Sequence, residues 1–217
     1  GTGQPKPRTQ SLNTSIQNTL AEDCRNGRDD DGNGLVDCED YSCYFQQPVS
    51  TCNCTPSNTL WTSNGNGELH WANTASGVEK FVGNMGMAMT DLTWTPDGKL
   101  YGLDFNGRIY GINPATAVPT YLFTVPGFNS ANAMTADKEG NLYIAGGLTV
   151  AQYSPYLNRV ITTIDMPWGG SSGGDLAFSG DYLYLACTGN TIARIDVATK
   201  QVTLSPIVGL PSYADIF

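Results

Sequence analysis

This chain of 217 residues contains little histidine and few positively charged residues. It contains one histidine, His70, and 11 Lys and Arg against 20 Asp and Glu, which gives a formal net charge of −9. This balance leaves no basic stripe for nucleic acid, so nucleic-acid partners are not expected. A single histidine also leaves little from which a Ser-His-Asp hydrolase site could be built.

Long apolar runs and a targeting leader are missing as well. No stretch of eighteen apolar residues occurs, so the sequence predicts no membrane-spanning helix. The chain starts at Gly1, without a methionine and without a charged segment followed by an apolar one. We therefore expect a mature product from which a signal has been removed.

Cysteine, by contrast, is concentrated near the N-terminus. Five cysteines lie within residues 24–54 and a sixth lies far downstream: Cys24, Cys38, Cys43, Cys52, Cys54 and Cys187. The single CxC pair has no second pair at zinc-ribbon spacing and the histidine is remote, so disulfides in an extracellular compartment are favoured over zinc. The sequence does not select a connectivity. Cys187 is either a small buried apolar residue or the partner of the odd N-terminal cysteine, and the odd count favours the second.

An acidic segment inside the cysteine cluster has the spacing of a twelve-residue calcium loop. Counted from Asp29, oxygen-bearing side chains and one backbone carbonyl fall at positions 1, 3, 5, 7, 9 and 12: Asp29, Asp31, Asn33, Leu35 (carbonyl), Asp37 and Asp40. Gly34 at position 6 permits the sharp turn. Residues 22–40 hold eight acids and two bases, which would repel one another without a divalent ion. We therefore expect bound Ca²⁺ rather than a merely solvated acidic turn.

The loop differs from a helix-flanked EF-hand, because position 12 is Asp40 rather than Glu and no apolar helical periodicity flanks it. The run Asp-x-Asp-x-Asn-Gly-x-x-Asp-x-x-Asp resembles the calcium loops of thrombospondin type 3 and dockerin repeats. Framed by Cys24, Cys38 and Cys43, it also looks like an element of secreted and surface proteins of gliding-type Bacteroidota. This resemblance covers about twenty residues and implies a structural calcium site outside the cell.

Further along, the chain repeats with a period near forty residues. Leu-aromatic pairs begin at Leu60, Leu100, Leu142 and Leu183, at intervals of 40, 42 and 41 residues. Turn sequences such as Pro96-Asp97-Gly98 divide each unit into four short strands. Four strands in forty residues correspond to one blade of a β-propeller. We therefore predict an all-β fold, with an extended arm at 1–21, a cysteine-rich calcium-binding element at 22–57 and propeller blades at 58–217.

The units resemble, loosely, NHL-like and lactonase-like propellers and, more closely, the Asp-Leu-Ala-Phe, Leu-Tyr and Ile-Asp repeats of secreted Bacteroidota propellers. Residues 59–88 supply only the last three strands of a unit, and three complete units follow. Residues 213–217 have the pattern of a first strand. They either close a four-bladed ring with residues 59–88 or begin a further blade of a larger, truncated ring, and the abrupt end of the chain favours the larger ring.

Three aspartates recur at one position of the repeat: Asp91, Asp175 and Asp215. First strands line the central channel of a propeller, so these carboxylates can converge on a channel cation or substrate, as the lactonase-like resemblance implies. Alternatively, each accepts hydrogen bonds from backbone amides of a neighbouring loop. His70 is expected on a blade surface, and the aromatic residues are expected to pack between blades.

Two classes of function follow. The first is a non-catalytic, extracellular or cell-surface binding module that is stabilised by calcium and serves adhesion, glycan capture or envelope assembly through a protein or glycan partner. The second is a propeller hydrolase or lyase, in which Asp91 and Asp175 act at the channel mouth as ligands or acid/base groups. The scarcity of reactive side chains favours the binding module.

Overall fold

The computed structural model describes residues 23, 26, 28–30, 59–128 and 130–207, and the regular structure of these residues is entirely β-strand. Sheet 1 contains β1 (Thr59–Ser63), β2 (Glu68–Asn73) and β3 (Val78–Asn84). Sheet 2 contains β4 (Asp91–Trp94), β5 (Leu100–Leu103), β6 (Arg108–Ile112) and β7 (Pro119–Thr124). Sheet 3 contains β8 (Ala131–Ala136), β9 (Leu142–Gly146), β10 (Thr149–Ser154) and β11 (Arg159–Asp165). Sheet 4 contains β12 (Ser172–Ser179), β13 (Tyr182–Cys187), β14 (Thr191–Asp196) and β15 (Gln201–Pro206).

Consecutive strands pair antiparallel within each sheet, and short turns with specific chemistry join them. Between β4 and β5, the Gly98 N–H donates to the Thr95 carbonyl at 3.0 Å, and Gly98 takes the positive φ of 70° that favours glycine. Between β5 and β6, the Asp104 carboxylate accepts the backbone N–H groups of Asn106 and Arg108, each at 2.9 Å. Side chains that satisfy turn amides in this way fix where each strand ends.

The predicted four-stranded units are confirmed by sheets 2, 3 and 4. The repeated Leu-aromatic pairs lie in β1, β5, β9 and β13. Sheet 1 has three strands among the described residues, as predicted for residues 59–88. Residues 213–217, one candidate for its first strand, lie outside the described residues.

Neighbouring sheets pack face to face through three apolar layers. Because side chains alternate along a strand, Leu100 on β5 joins the layer between sheets 1 and 2, whereas Tyr101 joins the layer between sheets 2 and 3. All four residues of β5 are buried. A strand covered on both faces needs apolar residues throughout, which explains why these segments read as continuous apolar runs.

The first strands of sheets 2, 3 and 4 lie side by side, with β8 in contact with both β4 and β12. This arrangement brings residues about forty positions apart in sequence into contact. In the described part of the chain, no helix has the length and hydropathy needed to cross a membrane.

Candidate functional site

The first strands carry two of the recurring aspartates, Asp91 on β4 and Asp175 on β12. One carboxylate oxygen of Asp91 accepts the N–H of Leu92 at 2.7 Å, and the other accepts the N–H of Met134 on β8 at 2.6 Å. Met134 belongs to the neighbouring sheet, so the Asp91 side chain joins sheet 2 to sheet 3. Of the two predicted roles for Asp91, the structure shows the one in which it accepts backbone amides.

The surroundings of Asp91 disfavour its charged form. Burial raises the pKa of this carboxyl to about 7, although the two N–H donors act in the opposite direction. The negative charge of Asp175 adds to the rise. Asp215, the third member of the set, lies outside the described residues, and the convergence of the three carboxylates on a cation or substrate stays a prediction.

A second polar contact joins the next pair of first strands. The Ser172 hydroxyl on β12 donates to Asn132 Oδ1 on β8 at 2.6 Å, and Asn132 Nδ2 donates to the Ser172 carbonyl at 3.4 Å. Asp175 follows in β12 at a register irregularity and has a φ of 22°. Sequence reasoning missed Asn132 and Ser172, because a contact between residues 40 positions apart leaves no local signal.

The described residues contain no group of three or more His, Cys, Asp or Glu that could hold a metal ion. Of the predicted calcium ligands only Asp29 is described, and the others lie outside the described residues: Asp31, Asn33, Leu35, Asp37 and Asp40. Asp29 is exposed. The neighbouring carboxylate of Asp30 accepts the N–H of Asp23 at 3.3 Å and a hydrogen bond from Asn26 Nδ2. Calcium binding by this loop stays a prediction.

Cys187 is a free cysteine that is 8% exposed in the apolar layer between sheets 3 and 4. Burial raises the pKa of its thiol. These facts match the alternative in which it is a small buried apolar residue. The other candidates for disulfides lie outside the described residues, and their pairing stays a prediction: Cys24, Cys38, Cys43, Cys52 and Cys54.

His70 lies on β2, as expected for a residue on a sheet surface. Its Nδ1 is 2.7 Å from Glu79 Oε1, and its Nε2 is 3.5 Å from Glu68 Oε2. The ring also lies edge to face against Phe81, with centroids 5.4 Å apart. These contacts place His70 within sheet 1, away from the channel aspartates.

One edge of the sheets carries exposed apolar side chains. Antiparallel strands place the β5–β6 and β9–β10 turns and the β11–β12 connection at the same edge. Phe105, Leu148 and Trp168 lie in these three connections and are 56%, 38% and 93% exposed. The N–H of Met166 donates to the Leu148 carbonyl at 2.9 Å, which links two of the connections. We call Phe105, Leu148 and Trp168 the apolar rim.

Trp168 corrects the expectation that the aromatic residues pack between blades. Trp61 and Trp94 do pack between sheets 1 and 2, with ring centroids 5.6 Å apart. Trp168 instead lies in a turn that the Gly170 N–H closes by donating to the Pro167 carbonyl at 2.9 Å. The turn presents the indole to solvent.

Clefts between neighbouring sheets lie at the opposite edge. The cleft between sheets 2 and 3 has a volume of about 910 Å³ and is lined by tyrosines and amide side chains, among them Tyr121, Tyr153 and Asn158. The cleft between sheets 3 and 4 has a volume of about 730 Å³ and is lined by aromatic and charged side chains. Both clefts are formed by residues of different repeats.

Comparison with known proteins identifies the fold. No family model matches the chain, and no curated protein matches it. The structure of U3-55K superimposes with a TM-score of 0.54 at 13% identity, over 69% of this chain and 48% of that chain. The crystal structure of RRP9 WD40 repeats gives a TM-score of 0.53 at 12% identity, over the same 69% and 48%. The chain thus spans about half the length of these structures, and the predicted all-β propeller of four-stranded blades is confirmed.

Proposed function

We propose that this chain is a non-catalytic binding module that engages a protein partner through the apolar rim. The observation that carries the proposal is the 93% exposure of Trp168 on the same rim as exposed Phe105 and Leu148. Exposed apolar clusters mark interaction sites, and Trp is enriched among the residues that dominate binding energy. A propeller is compatible with this role but does not specify it.

The connections that carry the rim are held by local hydrogen bonds. Beside Phe105, the Gly107 N–H donates to the Asp104 carbonyl at 3.0 Å, and the Ala131 N–H donates to the Phe105 carbonyl at 3.0 Å. Beside Leu148, the Ser172 N–H donates to the Gly147 carbonyl at 2.8 Å. A partner therefore meets side chains on ordered turns, which lowers the entropy cost of association.

The same proposal includes location and calcium. We place the module outside the cell, secreted or on the cell surface, where its partner is a protein or glycan of the surface or of an envelope complex. The dense cysteines at 24–54 support an oxidising compartment. The carboxylate and amide oxygens of the acidic loop are the donors that a hard cation such as Ca²⁺ prefers. When bound, the ion would offset part of the negative charge of the loop, with Asp29 as the first of its ligands.

A photo-reactive phenylalanine analogue at position 168 tests the binding surface, with the same analogue at position 78 as the control. Val78 is 56% exposed at the start of β3 in sheet 1. The proposal expects a cell-surface protein to be cross-linked from position 168 and not from position 78. The purified partner should then bind Trp168→Ala at least about tenfold more weakly and Val78→Ala unchanged. Equal affinity for both variants contradicts the proposal.

A hydrolase or lyase at the channel mouth is the second candidate, and one observation favours it. The pKa of the Asp91 carboxyl, raised to about 7, lies where general acid/base catalysis is efficient. Against it, both Asp91 oxygens already accept backbone N–H groups, and one of these, the N–H of Met134, belongs to the neighbouring sheet. Turnover of lactone, ester and uronate substrates, measured with Ca²⁺ present, distinguishes an enzyme from a binding module. Turnover that is abolished by combined Asp91→Asn and Asp175→Asn establishes an enzyme, and no turnover supports the binding module.

A further inference from the structure

The cleft between sheets 3 and 4 combines aromatic rings with carboxylates. Tyr143 on β9 and Phe178 on β12 lie edge to face, with ring centroids 5.2 Å apart and planes at 83°. Both rings line the cavity of about 730 Å³ at the edge opposite the apolar rim. Tyr143 is buried and Phe178 packs against the same apolar layer, so packing fixes the ring positions.

Negative charge dominates the lining of this cleft. Asp137, Glu139 and Asp181 contribute three carboxylates and Lys138 contributes one ammonium group, which leaves a net charge of −2. Lys138 Nζ lies 3.8 Å from Glu139 Oε1, and the two side chains are 81% and 61% exposed. An ion pair so exposed is weak and leaves the cleft negative.

The three carboxylates differ in hydrogen bonding and in exposure to solvent. Asp137 is held in its own turn, where it accepts the N–H groups of Glu139 at 3.0 Å and Asn141 at 2.8 Å. Glu139 and Asp181 are exposed at the mouth of the cleft. Burial raises the pKa of the Tyr143 hydroxyl, and the negative charges of Asp137 and Glu139 add to the rise.

The cleft between sheets 2 and 3 provides an internal comparison. It is larger, at about 910 Å³, and its described lining contains Lys99 and no Asp or Glu. A smaller cavity of about 360 Å³ between the same two sheets is lined by Asp97 and Glu139 but also by Lys99 and Lys138, so its charges balance. The cleft between sheets 3 and 4 differs from these two cavities by its excess of carboxylates.

We propose that the cleft between sheets 3 and 4 binds an arginine side chain of a peptide segment of the partner, between the partly exposed ring of Phe178 and the carboxylates of Glu139 and Asp181. A guanidinium can stack on an aromatic ring while its N–H groups donate to carboxylates, and both contacts suit this lining. The inference rests on the proposed role in protein binding and adds a second contact, on the edge opposite the apolar rim.

Titration of the isotope-labelled full chain with the peptide acetyl-Gly-Gly-Arg-Gly-Gly-amide tests this inference by amide chemical-shift changes. The expected result is saturable shifts in residues 137–143 and 178–181, and an affinity at least about threefold lower when neutral citrulline replaces arginine. Absence of shifts in these residues, or equal affinity for the citrulline peptide, overturns the inference.

Two pairs of charge-matched variants separate local from overall charge. Combined Glu139→Gln and Asp181→Asn should weaken arginine-peptide binding at least about tenfold. Combined Glu79→Gln on β3 and Asp165→Asn on β11 removes the same charge elsewhere and should change the affinity less than twofold, within about 0.4 kcal/mol. Equal loss in both pairs overturns a local site.

Failure of this inference is distinguishable from failure of the proposed function. If the arginine peptide does not bind while a partner still depends on Trp168, the cleft inference alone is wrong. If the peptide changes the amide chemical shifts of the cleft residues while Trp168→Ala does not change the affinity for the partner, the proposed role of the apolar rim is wrong and the arginine site stands.

Discussion

The carboxylate of Asp91 on β4 and the backbone N–H of Met134 on β8 are joined by a hydrogen bond of 2.6 Å. The two residues belong to different sheets, so the contact is part of the packing of one blade on the next. The same burial that positions this carboxylate raises its pKa to about 7. A contact that holds neighbouring blades together is thereby sensitive to pH.

Replacement of Asp91 by Asn should flatten the pH dependence of stability. The folded carboxyl titrates near pH 7 and the unfolded one near its ordinary value of 3.8, so between these values the folded chain holds a proton that the unfolded chain has released. This group therefore makes the free energy of unfolding fall as pH rises through that window, by at most about 1.4 kcal/mol per pH unit. Urea unfolding at pH 5 and pH 7.5 should show a smaller difference for Asp91→Asn than for the unchanged chain.

The matched control for this experiment is Asp165→Asn, which alters an exposed aspartate at the end of β11. Its pH dependence should follow that of the unchanged chain. An identical slope in Asp91→Asn and Asp165→Asn would show that Asp91 does not hold its proton in the folded state.

Replacement by alanine should have very different effects on stability at two glycines of the β1–β2 turn. Gly67 has a φ of 77°, and a Cβ placed there would lie 2.5 Å from the Met87 carbonyl oxygen. Gly65, in the same turn, has no atom within 4 Å of such a Cβ. We expect Gly67→Ala to lower the free energy of unfolding by roughly 2 kcal/mol or more, and Gly65→Ala to change it by less than about 0.5 kcal/mol. Thermal or urea unfolding of the pair measures both, and similar losses would contradict the described turn.

Cys187 should behave as a buried free thiol. Its raised pKa and 8% exposure predict slow alkylation of the folded chain and rapid alkylation after unfolding without reductant. Peptide mapping by mass spectrometry should then find Cys187 alkylated. Recovery of Cys187 in a disulfide-linked peptide with an N-terminal cysteine would instead support the other alternative, which the odd number of N-terminal cysteines favours.

The repeat could be read from the sequence because each unit carries its own local signals. Leu100 and Leu142 mark second strands, and Gly98 marks the turn before one of them. These signals depend on strand period and turn chemistry, which are properties of short segments. They suffice for strand order and for the number of strands in each unit.

The contacts between units could not be read in the same way. The Asp91 bond to Met134 and the Asn132 bond to Ser172 span 43 and 40 residues. Trp168 was expected to pack between blades, but its exposure depends on how one connection leaves the sheet edge. Such features follow from sheet packing, for which composition and spacing give no direct signal.

Calcium should protect the N-terminal element and leave the propeller nearly unchanged, because the ion would screen a local cluster of like charges. Hydrogen exchange with and without Ca²⁺ should slow in residues 22–57 and stay constant in residues 59–207. Asp29→Asn should remove most of this protection, since Asp29 is the predicted first ligand. Asp30→Asn removes the same charge from a carboxylate that contacts Asp23 and Asn26, and this variant should retain most of the calcium-dependent protection. Equal protection throughout the chain, or equal loss in the two variants, would argue against a calcium site in this loop.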